Sequence, residues 1–428
     1  MKLCTSTLYA IRCIIVSPIL MLTIMCMLTR SIVVSALNYR RELFCRASSL
    51  DARRLIFSSA LNSIGRDHEG EQKETVLPSL NKRKSRLVFL GTPDVAASSL
   101  ELLVRESQRQ DACFDVVGVV TQPPKRRRRM GTPEPSPVGK VAEDFGVRVL
   151  APESAKDPVF LEELEASLRP DICITAAYGQ YLPKRFLEIP QLGTINIHPS
   201  LLPRWRGASP VQRSLQAGDE LIGVTILYTV SKMDAGPIIS QDTYRVGKNE
   251  QSTEVLKHLF RVGTIRLIEL LPGIVSGQMS FELATPQNED GVVKADLVNV
   301  DEGELKVWKE SALTLHNKVR GFSIWPGTWM YFTIGDDDTQ EPIRLKIIET
   351  QVQEVKLAPT HQVQLGKDRT SGLYVVCNDG SVLELLKVQP ETKKVMDARS
   401  FVNGLRGKTI HWVNMEQYNI KERKFKQT

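Results

Sequence analysis

Short apolar runs alternate with amphipathic segments through the first two thirds of the chain. The runs are rich in Val and Ile, which is typical of buried strands, and they lie at residues 87–90, 116–120, 172–176, 194–198 and 224–230. Helical segments lie between them: Asp94 can cap the first, and Ser136-Pro137 begins the second. This alternation predicts an α/β domain with a mostly parallel sheet.

A long amphipathic segment at residues 252–277 follows the last of these strands. Its bulky apolar residues and one glycine recur at three- and four-residue spacing: Leu256, Leu259, Phe260, Gly263, Leu267 and Leu270. The spacing predicts one helix that closes the first domain. The polar run Gln287-Asn288-Glu289-Asp290 then begins a connector.

The pattern changes after about residue 310. A predicted helix at 311–320 precedes short predicted strands at 330–334, 343–349, 363–365, 373–376 and 382–388. Asn378-Asp379-Gly380 predicts a hairpin turn between the last two. The pattern predicts a small OB-like β-barrel domain, in which Trp325, Trp329 and Trp412 are expected in the core rather than as base-stacking platforms.

The amino-terminal segment has a different composition. Through Arg66 it contains nine basic and two acidic residues and is rich in serine, which is typical of an organelle transit peptide. The uncharged run at 13–28 instead resembles a signal sequence, or an extended start with initiation at Met21, Met25 or Met27. An organelle leader is favoured over secretion because a secreted body of this size would usually contain paired cysteines.

The predicted organisation has five parts. Residues 1–85 are a leader and disordered linker, 86–277 a catalytic domain, 278–309 the connector, 310–420 the OB-like domain and 421–428 a basic tail. The formal net charge of +7 permits a polyanionic partner without requiring one. The seven cysteines show no spacing typical of a zinc site or a disulfide framework, and no GxGxxG indicates a dinucleotide site.

The strongest candidate for chemistry lies at the end of the predicted strand 194–198. Asn196 and His198 are two residues apart, so they share one face of the strand, and Pro199 ends it. The carboxyl ends of parallel strands are where open sheets bind ligands. Asp234 follows the next strand and is expected at the same edge. The alternatives are a hydrogen-bonded polar pair in the core and an ordinary turn aspartate.

These residues form part of a longer motif. It reads Asn196-Ile197-His198-Pro199-Ser200-Leu201-Leu202-Pro203-Arg204-Trp205-Arg206-Gly207, followed by Asp234-Ala235-Gly236. The motif resembles the signature of the folate-dependent formyl transferases. The resemblance extends from about Leu87 to Gln389 and includes Leu90-Gly91-Thr92-Pro93, residues 177–183 and Gly218-Asp219.

The resemblance implies a Rossmann-like catalytic domain that uses 10-formyltetrahydrofolate as formyl donor and no metal. Asn196, His198 and Asp234 would be the catalytic trio, with Asn196 and His198 as donors to the formyl oxygen. Asp234 would orient His198 and assist proton relay through a water. The implied folate contacts are Tyr178, Gly179, Leu182, Ser200, Leu201, Leu202 and Pro203. Core packing is the alternative for Tyr178 and Leu182.

Five consecutive cations, Lys125, Arg126, Arg127, Arg128 and Arg129, are flanked by turn-forming residues. The pattern predicts an exposed loop, and a solvated or incidental sorting patch is the alternative. Within the family, a basic loop here and a small β-rich second domain are the arrangement of enzymes that formylate initiator methionyl-tRNA. The resemblance therefore implies initiator methionyl-tRNA and folate as partners. It also implies a monomer. The leader composition predicts the mitochondrion or, alternatively, the plastid, and the mature chain is expected to have no stable membrane association.

Three other functions remain open from the sequence. A formyl transferase acting on an amino-sugar nucleotide or a purine-pathway amine would share the trio. A formyltetrahydrofolate hydrolase would use water as acceptor. A non-catalytic RNA-binding protein would retain Asn196, His198 and Asp234 only as a relic.

Overall fold

A seven-stranded sheet forms the centre of the first domain, in the order β3-β2-β1-β4-β5-β7-β8. The computed structural model describes residues 83–126, 131–335, 341–366, 368 and 371–418. The predicted basic tail, and all but the last three residues of the predicted leader and linker, therefore lie outside the described residues. The strands of this region are β1 (Ser85–Gly91), β2 (Phe114–Val120), β3 (Val149–Leu150), β4 (Ile172–Ala176), β5 (Thr194–His198), β6 (Arg204–Arg206), β7 (Leu221–Tyr228) and β8 (Ile238–Arg245).

Helices cover both faces of this sheet. They are α1 (Asp94–Ser107), α2 (Pro137–Asp144), α3 (Pro158–Glu163), which continues as a wider turn through Leu164–Leu168, α4 (Lys184–Leu187), α5 (Pro210–Ala217) and α6 (Ser252–Val275). Alternate residues of β1 point to opposite faces: Leu87 and Phe89 join one apolar cluster, whereas Val88 and Leu90 join the other. Because both faces are buried, the strands are continuously apolar, as the sequence pattern predicted.

Strand direction changes within the sheet. The five strands from β3 to β5 run parallel, whereas β7 is antiparallel to β5 and β8 is antiparallel to β7. The prediction of an α/β domain with a mostly parallel sheet is therefore confirmed. The pattern did not predict β8, whose residues alternate between half-buried and exposed positions at the edge of the sheet.

The second domain is an antiparallel sheet that curls back on itself. After β9 (Val293–Lys294) in the connector and α7 (Ala312–Gly321), its elements are β10 (Thr328–Ile334), β11 (Ile343–Lys356), β12 (Gln364–Leu365), β13 (Leu373–Val376), β14 (Ser381–Pro390), β15 (Met396–Asp397), α8 (Ala398–Asn403) and β16 (Ile410–Trp412). The sheet order is β12-β13-β14-β11-β10-β16. Residues just before β12 also bond to β16, since Val363 N donates to Ile410 O at 2.8 Å. This closure confirms the OB-like prediction.

The tryptophans of this domain differ in exposure. Trp329 and Trp412 are buried at 7% and 6%, as predicted. Trp325 is 54% exposed, so its predicted core position was wrong. It stands in the turn before Pro326, where no strand or helix directs its side chain into the core.

The two domains contact each other beside the start of α6. His316 of α7 has its Nε2 atom 3.1 Å from the carbonyl oxygen of Lys248. Gln251 donates to the carbonyl oxygen of Ile348 in β11 at 2.8 Å. These hydrogen bonds fix the second domain against the first, and α5 also packs closely on α7, where a Cβ atom at Gly321 would lie 2.7 Å from the carbonyl oxygen of Gln212.

None of the helices from residue 83 to 418 that the structure describes combines the length and the apolar composition of a membrane span.

Candidate active site

Asn196 and His198 lie at the carboxyl end of β5 with their side chains on one face. His198 is buried and Asn196 half-buried. The hydroxyl of Thr175, the register partner of Asn196 on β4, donates to Asn196 Oδ1 at 2.8 Å. This bond uses the acceptor end of the amide, so the Nδ2 group remains available as a donor to a ligand.

The His198 ring lies between a carbonyl and a carboxylate. Its Nε2 atom is 3.0 Å from the carbonyl oxygen of Trp205, and its Nδ1 atom is 3.7 Å from Asp234 Oδ1. A carbonyl oxygen only accepts hydrogen bonds, so Nε2 carries the proton in the neutral ring. The other nitrogen, Nδ1, is therefore the one that can take up a proton beside Asp234.

Asp234 reaches His198 by a route that the sequence did not predict. Because β7 is antiparallel to β5, its carboxyl end lies beside Thr194, the first residue of β5, where Thr229 N donates to Thr194 O at 2.7 Å. The loop after β7 then returns along β5 to place the Asp234 carboxylate near His198. The three residues of the predicted trio thus converge, although Asp234 does not follow a parallel strand.

The carbonyl group that orients His198 belongs to an unusual residue. Trp205 has a φ of 66°, a left-handed conformation that is uncommon for a non-glycine residue. Its indole Nε1 donates to Asp219 Oδ2 at 2.7 Å, and Arg204 also donates to Asp219 at 2.8 Å. The hydrogen bond to Asp219 raises the pKa of Arg204. The sequence indicated Asp219 only through the family resemblance, and its role as an acceptor for Trp205 and Arg204 was not predicted.

The predicted folate contacts divide into buried side chains and accessible backbone. The side chains of Tyr178 and Leu182 belong to the apolar cluster under the sheet, and burial raises the pKa of Tyr178 to about 12. Gly179 is exposed with a φ of 85°, so its peptide groups face solvent. Within the described residues the Tyr178 hydroxyl has no hydrogen-bond partner. This segment can therefore present backbone groups, but not the Tyr178 ring, to a ligand.

The second predicted folate segment, residues 200–203, is mostly buried. Ser200 and Leu202 are buried, whereas Leu201 and Pro203 are half-buried. Ser200 Oγ donates to the carbonyl oxygen of Arg204 at 2.9 Å. Within this segment only Leu201 and Pro203 are partly accessible.

The basic loop follows β2. Lys125 and Arg126 are exposed, and the backbones of Lys125 and Glu134 exchange two hydrogen bonds of 3.1 Å that close the base of the loop. Arg127, Arg128 and Arg129 lie outside the described residues.

Among the residues that the structure describes, no cluster of three or more His, Cys, Asp or Glu side chains has the arrangement of a metal site.

An amide donor, an oriented imidazole and a carboxylate at the edge of an α/β sheet suit transfer of an acyl group. The fold and the site define a formyl transferase, and two family models agree: "Formyl transferase" matches residues 85–271, and "Formyl transferase, C-terminal domain" matches 299–406. The chain is 37% identical over 324 residues to the methionyl-tRNA formyltransferase of Myxococcus xanthus, covering 75% of this chain and 95% of the relative. It is 36% identical to that of Macrococcus caseolyticus, covering 76% and 97%. The chain belongs to the methionyl-tRNA formyltransferase family.

Solved structures share the fold at lower identity. An N-formyltransferase from Helicobacter canadensis, in complex with folinic acid and dTDP-3-aminofucose, is 16% identical with a TM-score of 0.50 and covers 70% of this chain and 98% of that one. HypX from Aquifex aeolicus, in complex with tetrahydrofolic acid, is 15% identical with a TM-score of 0.50 and covers 76% and 48%. Each of these two solved structures thus contains a folate derivative.

Proposed function

We propose that this chain transfers the formyl group of 10-formyltetrahydrofolate to the amino group of initiator methionyl-tRNA. The observation that carries the proposal is the convergence of Asn196, His198 and Asp234 in a chain that covers nearly the full length of relatives named for this activity.

In the proposed reaction the methionyl nitrogen attacks the formyl carbon. The new C–N bond forms, the bond from the formyl carbon to N10 of the folate breaks, and the proton lost by the amine is balanced by the one gained at N10. Negative charge builds on the formyl oxygen in the transition state, where the Asn196 Nδ2 group is a suitable donor. His198 Nδ1, beside Asp234, is the group suited to receive the amine proton.

The folate is proposed to lie along the two segments at the crevice edge. The peptide groups around Gly179 and the partly accessible Leu201 and Pro203 supply its contacts. Backbone groups suit a pterin ring because its edge carries several hydrogen-bond donors and acceptors.

The tRNA is proposed to contact the basic loop formed by residues 125–129. Lys125 and Arg126 are exposed at the closed base of the loop, and the chain from Ser311 onward contains 17 basic and 13 acidic residues. Binding of phosphate groups by such cations is salt-dependent. Replacing Arg126, Arg127, Arg128 and Arg129 by Ala should flatten the slope of log affinity against log salt by about one unit for each phosphate group that the loop no longer binds.

The compartment is proposed from the leader composition. An Arg- and Ser-rich amino terminus favours a mitochondrial address, with the plastid as the alternative, and the mature chain is proposed to act as a monomer without stable membrane association. Fusion of residues 1–85 to a fluorescent protein tests the address. Mitochondrial fluorescence supports the proposal, plastid fluorescence supports the alternative, and secretion contradicts both.

The activity is tested with the full chain, 10-formyltetrahydrofolate and three acceptors: initiator methionyl-tRNA, elongator methionyl-tRNA and an amino-sugar nucleotide. Faster formylation of the initiator tRNA is expected, with strong loss of activity in the His198→Ala variant. Transfer to the sugar nucleotide without transfer to either tRNA would overturn the proposal, and so would undiminished activity of His198→Ala.

A further inference from the structure

The connector between the two domains forms backbone hydrogen bonds with β6, which follows β5, and with the start of β8, which follows the Asp234 loop. β9 pairs in parallel with β6, and Ala295 N donates to the carbonyl oxygen of Arg206 at 2.7 Å. Upstream, Thr285 and Ile238 exchange two backbone hydrogen bonds of 2.9 and 2.7 Å at the start of β8. The residues between these two anchors, 286–292, are therefore held against the loop that carries Asp234.

Gln287 makes four hydrogen bonds within this stretch. Its Nε2 group donates to the carbonyl oxygens of Asp234 and Gly236, at 2.8 and 2.7 Å. Its Oε1 atom accepts from Nε and Nη2 of Arg206, at 3.0 and 2.7 Å. Both donors and both lone pairs of the amide are in use, so the side chain is fixed in one orientation.

Arg206 is a buried cation whose partners explain that fixed orientation. The residue is only 7% exposed, and its Nη1 atom lies 3.1 Å from Glu289 Oε1, while Lys232 contacts Glu289 Oε2 at 2.9 Å. Hydrogen bonds from Lys232 and Arg206 lower the pKa of Glu289. A buried guanidinium is costly without such acceptors, so the hydrogen bonds between Arg206 and Gln287 stabilise both side chains in place.

Asp234 requires external support because its backbone is strained. Its φ is 49°, and a non-glycine residue in a sparsely populated region persists only where its surroundings determine it. Its Oδ2 accepts from Gly207 N at 2.9 Å, which turns Oδ1 toward His198, while Gln287 holds its carbonyl oxygen. Both supports come from the segment anchored by Arg206 and the connector.

We propose that Gln287, held by Arg206, is a positioning residue for the Asp234 carboxylate, so that the connector takes part in assembling the active site. Gln287 lies between the two ranges that the family models match. The inference rests on the proposed function, because Asp234 acts there through His198. Release of the Asp234 carbonyl lets the loop relax its φ, which moves Oδ1 away from the ring.

Two variants test this role. Gln287→Met removes all four hydrogen bonds at nearly constant volume, whereas Gln287→Glu keeps the acceptor for Arg206 and replaces the donor to Asp234 and Gly236 with a charged oxygen. Gln191→Glu, at an exposed position before β5, is the matched control. Both Gln287 variants should lower kcat by about tenfold to a hundredfold, because small displacements of a catalytic group have effects of this size. The KM values should stay within about threefold.

A second readout is independent of activity. In the full chain with labelled histidine, the imidazole NMR signals of His198, assigned with a His198→Gln variant, should shift in both Gln287 variants and not in Gln191→Glu. If wild-type protein lacks formyl transfer but these signals shift, the proposed function fails and the positioning role stands. If wild-type protein is active, and the folded Gln287→Glu variant keeps full kcat and unshifted signals, the positioning role is overturned. Gln287→Glu decides the outcome even where Gln287→Met does not fold.

Discussion

Substitution of Thr225 tests how the proposed folate segment at residues 200–203 is held in place. It is fully buried in β7, directly opposite His198 in the register. Its hydroxyl donates to the carbonyl oxygen of Ser200 at 2.6 Å and accepts from Leu202 N at 3.2 Å and from Gln241 Nε2 at 2.9 Å. One side-chain oxygen therefore pairs two backbone groups of the proposed folate segment.

Thr225→Val keeps the shape of the side chain but removes all three bonds. The Ser200 carbonyl and the Leu202 N–H lose this partner inside the protein, at about 1–3 kcal/mol for each unsatisfied group. The expected loss is therefore about 2–6 kcal/mol in the free energy of unfolding of the catalytic domain. The loosened segment should also raise KM for the folate more than it lowers kcat, because it binds rather than reacts.

Urea unfolding followed by tryptophan fluorescence measures the stability loss, with Thr243→Val as the control. Thr243 is exposed on the neighbouring strand β8, so its substitution should change stability by no more than about 0.5 kcal/mol. Equal, small effects of the two substitutions would refute the reasoning that the Thr225 hydroxyl holds the segment.

Two further predictions concern pH and packing. Burial lowers the pKa of His316 below 6.5, with Arg320 lowering it further and the Lys248 carbonyl opposing both. As the pH falls, His316 therefore takes up a proton in the unfolded chain before it does so in the folded one. The stabilising contribution of His316 is complete above pH 6.5 and is lost as the pH drops toward the folded pKa. The urea midpoint of wild-type protein, but not of His316→Gln, should show this fall. Gly207→Ala would place a Cβ atom 2.5 Å from the Ala295 carbonyl oxygen at a φ of 133°. It should lower kcat at least about tenfold, and unchanged single-turnover formyl transfer by the folded variant would contradict this.

The central strands were predictable because burial on both faces requires continuous apolar runs. The predicted bounds 172–176 and 194–198 are those of β4 and β5. β8 was missed because an edge strand carries polar residues, such as Gln241 and Asp242, that show no strand pattern over a short window. β11 continues to Lys356, beyond the predicted end at 349, because its last residues are mostly polar and only partly buried or exposed.

The site was predictable only where local geometry determines it. Alternation along one strand puts Asn196 and His198 on one face, whatever the rest of the fold. The direction of β7, and hence the route to Asp234, depends on strand pairing between distant segments. Trp205 orients His198 through its backbone carbonyl group, which every residue type has, so the sequence does not indicate this role. Gln287 reaches the Asp234 loop from a distant part of the chain, so no local pattern indicates it.

The most direct test of the account is kcat/KM of formyl transfer to initiator methionyl-tRNA by the Asn196→Asp variant. The carboxylate keeps an acceptor for the Thr175 hydroxyl and replaces the Nδ2 donor with a charged oxygen. If that donor stabilises the developing charge on the formyl oxygen, kcat/KM should fall by about 10²–10³ in a protein with unchanged urea unfolding. A fall of less than about tenfold in the folded variant would contradict the role assigned to Asn196 and the chemistry built on it.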